Sequence, residues 1–165
     1  MLNFFNKKRK EIFKIVSPVT GRLINLNKVN DGVFSSGIMG DGFAVIPTKR
    51  IIGSPINGKV EMVFPTKHAV GLKTNDGIEI IIHVGIDTVE LNGKGFSVFV
   101  QAGDKIEQGQ KIISISEELF NNRNVNLVTI VVFPNNTNLN VDFFDKTVEL
   151  GEGVIENDTS FKKNK

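Results

Sequence analysis

"TKHAVGLKTNDGIEIIIHVGIDTVEL", residues 66–91, sets two runs of apolar, largely β-branched residues on either side of Thr74-Asn75-Asp76-Gly77. Asn and Asp bond their own backbone in turns and Gly accepts positive φ, so the stretch reads as a β-hairpin. In its second arm, alternation sends Ile78, Ile80, Ile82 and Val84 to one face. Glu79, Ile81 and His83 go to the other, less apolar face. A loop of two residues, Asn75-Asp76, or of four, Thr74 to Gly77, sets His68 directly opposite His83; a three-residue loop would not. Opposed residues project from the same face with Cβ atoms about 5 Å apart. These are the two histidines of the chain, so the hairpin predicts a pair of imidazoles in one place.

The same grammar runs along the chain. "GRLINL", "GFAVIP", "GKVEMVF", "KIISI" and "LVTIVVF" are short β-rich runs bounded by Gly, Pro, Asn and Asp. The fold class they predict is all-β. "SPVTGRLINL" at 17–26 and "SPINGKVEMV" at 54–63 share Ser, Pro, an aliphatic residue, Gly and a basic residue in register, which points to a duplicated turn-and-strand unit. Helix signal is confined to a turn or two in "SEELFNNRN", residues 116–124, with acids at its start.

The chain has 165 residues, enough for one core, and no cysteine. That removes disulfides, thiolate metal sites and a cysteine nucleophile. Charge is uneven. Residues 1–14 carry five basic groups and one acid, and residues 158–165 three basic groups and one acid. The body, 15–157, therefore holds 12 basic and 16 acidic residues, a balance that suits a basic protein partner and not nucleic acid. Three segments are expected: a basic arm over 1–14, one domain over 15–157 and a disordered tail over 158–165. Leu2, Phe4 and Phe5 beside the arm's cations make peripheral contact with anionic membrane an expectation. No secretory signal or spanning run is seen, so the expected location is cytoplasmic.

Two imidazoles on one face suggest either a metal pair or two members of a phosphoryl- or proton-transfer site. An intrinsic zinc site lacks ligands, since neither HxH nor HExxH spacing occurs. At most, His68 and His83 can share a zinc whose further ligand a partner supplies. The glycines of "GIMGDG", residues 37–42, are followed by no GK[ST] and do not form a phosphate loop.

"GDGFAVIP", "SPINGKV", the segment from Thr66 to Phe96 and "GDKIEQGQKI" resemble the glucose-type enzyme IIA of the bacterial phosphoenolpyruvate-dependent sugar phosphotransferase system, over about residues 15–155. The resemblance implies an antiparallel β-sandwich with barrel-like character and no cofactor. It implies a phosphoryl carrier that takes its group from the histidine-containing phosphocarrier protein and gives it to a cysteine of a IIB domain. In that reading His83 is phosphorylated on Nε2, His68 is its partner and Thr66 orients His68. Asp31 and Asp87 face the phosphocarrier, and Val33, Phe34, Met39, Phe64, Ile81 and Val89 form an apolar rim. Ile81 stands where a close relative carries phenylalanine. A regulatory module that binds target proteins according to phosphorylation state would use the same surface. A biotinyl or lipoyl carrier would need a lysine at the hairpin tip, and Thr74 to Gly77 contains none.

Overall fold

Short β-branched runs interrupted by Gly, Pro and Asn favour strands over helices, and strands are what they form. The computed structural model describes residues 14–135 and 145–156. In chain order the strands are β1 (Lys14–Val16), β2 (Gly21–Asn25), β3 (Asp41–Pro47), β4 (Ile51–Gly53), β5 (Gly58–Val63), β6 (Ala69–Thr74) and β7 (Glu79–Val84). They continue with β8 (Phe96–Val98), β9 (Lys105–Ile106), β10 (Lys111–Ile115), β11 (Thr129–Phe133), β12 (Lys146–Val148) and β13 (Gly153–Glu156). The helical signal at 116–124 yields a single turn, α1 (Glu117–Phe120), whose N-cap Ser116 accepts from Leu119 N at 3.1 Å. Apart from Lys14, the predicted arm and tail lie outside the described residues.

Eight strands pair antiparallel in the order β12-β2-β3-β11-β7-β6-β5-β9; β4-β10-β8 and β1-β13 form two smaller sheets. The eight-stranded sheet is covered on both faces. One face, with Leu23, Phe43, Val45, Val70, Leu72, Ile80, Ile82, Val84, Val131 and Phe133, meets the smaller sheets in the main core. The other carries Ile24, Ala44, Ile130 and Val132 beneath Leu26, Val29 and Phe34 of the segment before β3. Strand β11 is buried along its whole length, which is why "TIVVF" does not alternate in hydropathy. The expected antiparallel β-sandwich is therefore the observed fold.

The duplication read from the two SP motifs is present as a near-twofold relation. The order β12-β2-β3-β11 is answered by β9-β5-β6-β7. Ser17 Oγ donates to the Val19 carbonyl and Ser54 Oγ to that of Ile56, each at 2.7 Å. The motifs also interlock: Val16 N donates to the Pro55 carbonyl at 3.0 Å and Gly53 N to the Pro18 carbonyl at 2.7 Å. Both serines are fully buried with these bonds made, so small polar side chains are required at the crossing.

Candidate functional site

The β6–β7 hairpin forms, but its register differs from the expected one. Ala69, not His68, lies opposite His83, and Lys73 lies opposite Glu79. The loop is the three-residue form: Gly77 N donates to the Thr74 carbonyl at 3.0 Å, Thr74 N to that of Ile78 at 3.0 Å, and Gly77 takes φ +89°. A type I turn followed by one left-handed residue adds the single residue that shifts the pairing. Direct pairing of the histidines is thus corrected.

The imidazoles nevertheless meet, because His68 is not in a strand. It ends the loop between β5 and β6, in which Lys67 N donates to the Phe64 carbonyl at 2.8 Å and Lys67 takes φ +60°. Outside the pleat, strand alternation no longer dictates where His68 points. Its ring stands edge-on to that of His83, with centroids 4.8 Å apart and planes at 85°. Thr66 belongs to the same loop. Its Oγ1 is 2.7 Å from His68 Nδ1.

Two phenylalanines complete the ring cluster. Phe34 lies 4.8 Å from His83 by centroids, and Phe64 lies 5.8 Å from His68. Phe34 is buried in the cluster under the segment before β3, which corrects its expected place in an exposed patch; it is a wall of the site. Asp31 holds that segment in position. Its Oδ1 accepts from the backbone N of Val33, Phe34 and Ser35 at 3.2, 2.9 and 3.2 Å, so the turn role and a place near His83 belong to the same acid.

Burial sets the protonation of both rings. His68 is 4% exposed, and desolvation lowers its pKa, partly offset by the backbone of Thr66. His83 is lowered from 6.5 to about 4, first by burial and then by the neighbouring His68, with the Gly85 backbone and Asp31 acting in the opposite sense. Both are therefore neutral near pH 7. Nδ1 of His83 is buried with no hydrogen-bond partner of normal geometry. The Gly85 backbone acts on the ring in the direction that favours its charged form. A neutral imidazole carries a lone pair and is a nucleophile without needing a base.

The remaining expected residues differ in exposure. Val33, Met39 and Val89 are 50%, 36% and 50% exposed, as suits a rim. Ile81 is half-buried on the face of β7 that carries His83 and packs against the second cluster. Asp87 is exposed, with φ +57°, and precedes the 3-10 turn Thr88–Leu91 without capping it. Sequence reasoning missed Ile38, 80% exposed in the same segment as Val33 and Met39. It also missed Gly85, at φ +87°, where a Cβ would fall 2.4 Å from Thr88 Cγ2 and 2.8 Å from the Asn126 carbonyl oxygen. The glycine of "HVGID" was the available signal. Among the described residues no group of three His, Cys, Asp or Glu can hold a metal, and no helix is long and apolar enough to cross a membrane.

Comparison with known proteins points to one family. The family model described as phosphoenolpyruvate-dependent sugar phosphotransferase system, EIIA 1, matches residues 13–139. A PTS system glucose-specific EIIA component of Staphylococcus epidermidis is 43% identical over 131 residues, 78% of this chain and 79% of its own length. One of Borreliella burgdorferi is 34% identical over 160 residues, 97% of this chain and 80% of its own. Among solved structures, glucose permease IIA from Mycoplasma capricolum matches with a TM-score of 0.79 at 33% identity, over 95% of this chain and 100% of that one.

Proposed function

The chain belongs to the EIIA 1 family of the phosphoenolpyruvate-dependent sugar phosphotransferase system, and on that premise we propose that His83 carries the phosphoryl group. The donor is the histidine-containing phosphocarrier protein and the acceptor a cysteine of a sugar-specific IIB domain, so the protein works in the cytoplasm. Family membership gives the chain a phosphotransfer role in sugar transport. The observation that carries the finer reading is the perpendicular contact of His68 and His83, with Nδ1 of His83 buried.

In the receiving step the donor P–N bond breaks as a P–N bond forms to Nε2 of His83, and the donor imidazole leaves with the electron pair. The transition state resembles metaphosphate, with negative charge on three equatorial oxygens, so positioning and charge stabilisation dominate. When the Thr66 hydroxyl donates to Nδ1 of His68, the proton of His68 resides on Nε2, free to donate to a phosphoryl oxygen. In the giving step the IIB thiolate attacks phosphorus, a P–S bond forms and the P–N bond to His83 breaks. Phe34 and Phe64 shield the rings, and exposed Val33, Met39 and Val89, with half-buried Ile81 behind them, exclude water once a partner docks. Asp31 and Asp87 serve a basic partner by steering its approach.

Incubation with phosphoenolpyruvate, enzyme I and the phosphocarrier protein tests this. One acid-labile phosphoryl group at His83, transferable to a IIB domain, is expected. A His83→Ala protein that still takes up the label refutes the assignment.

A further inference from the structure

Lys67 adopts φ +60°, a left-handed conformation that Gly or Asn occupies with less strain than a lysine. The turn from Phe64 to Lys67 needs that backbone shape but not that side chain. A long cation at a strained position between Thr66 and His68 therefore points to a use for the side chain itself. Its stem runs along Gly93: a methyl group there would lie 3.4, 3.7 and 3.8 Å from Lys67 Cδ, Cγ and Cε. Gly93 follows the turn Thr88–Leu91 and its C-cap Asn92, so the Lys67 stem lies beside the segment that follows His83 in the chain. The side chain is exposed, and among the described residues its ammonium makes no ion pair.

A phosphoryl group on His83 would add negative charge where Asp31 already supplies it and where both imidazoles are neutral. We propose that the Lys67 ammonium pairs with the oxygens of a phosphoryl group held on His83; the inference rests on the carrier reading above. The exposed four-carbon stem can swing, and an ammonium is a compact charge with three rotatable donors.

The test is 31P NMR and single-turnover phosphoryl uptake on the full chain, comparing wild type with Lys67→Asn, Lys67→Gln and Lys67→Arg. Asn keeps the left-handed turn while removing the charge, and Gln keeps much of the stem. In both neutral variants the phosphoryl titration midpoint should rise by about half a unit, a roughly threefold change in its ionisation constant. Uptake should fall roughly three- to tenfold in these two variants, and Lys67→Arg should restore both readouts. Wild-type midpoints and rates in Lys67→Asn and Lys67→Gln would overturn the inference and leave the carrier intact. A wild-type protein that yields no phosphohistidine signal would instead overturn the carrier reading.

Discussion

Acidification through the range below pH 6.5 should destabilise this protein through His83. In the folded chain its pKa is lowered from 6.5 to about 4, first by burial and then by His68. Between those two values the unfolded chain binds more protons than the folded one, and stability rises with pH wherever that holds. The contribution is therefore complete above pH 6.5, declines as pH falls, and is lost below about pH 4. A shift of that size corresponds to about 3 kcal/mol at full value, and solvent screening of a half-buried ring brings it to about 2 kcal/mol. Carboxylates titrate nearby, so the comparison is with His83→Gln, which has no imidazole to protonate. Urea unfolding of both proteins from neutral pH to about pH 4.5 should show the wild-type advantage shrinking by about 2 kcal/mol. His68→Ala removes the second cause of the shift, and NMR titration of His83 in that variant should move upward. An advantage that stays constant with pH, together with a wild-type His83 midpoint near 6.5, would refute the electrostatic account of the site.

Removing His68 should also test its part in transfer: His68→Ala should slow single-turnover exchange with the phosphocarrier about a hundredfold, as loss of one sheltered donor costs roughly 3 kcal/mol. His68→Gln should recover part of this, whereas wild-type rates in His68→Ala would make the residue a mere neighbour. Asp87→Asn should slow phosphoryl uptake and weaken its dependence on ionic strength, measured as association rate over a salt series. Gly85→Ala forces a Cβ against Thr88 and the Asn126 carbonyl at φ +87°, and should lower unfolding free energy by about 2–4 kcal/mol in a denaturant titration.

The strands and the hairpin were legible because their signals are local. Alternation from Ile78 to Val84 and turn residues at Asn75 to Gly77 act between neighbours in the chain, as do the paired SP motifs with their buried serines. That one histidine sits in the hairpin and the other just before it was legible for the same reason. Register was not, since a three-residue loop differs from a two- or four-residue one by a single left-handed glycine, and one residue reverses which side chains share a face. The contact of His68 with His83 was expected from a pairing that does not occur; it arises because Lys67 turns the chain before β6 begins. Phe34 looked like rim and proved to be a wall. Its burial depends on a segment folded over the far face of the sheet, joining residues distant in sequence. Tertiary packing alone decided that burial, and with it the protonation of His83, because desolvation is the sum of everything packed around the ring and no neighbour in the chain encodes it.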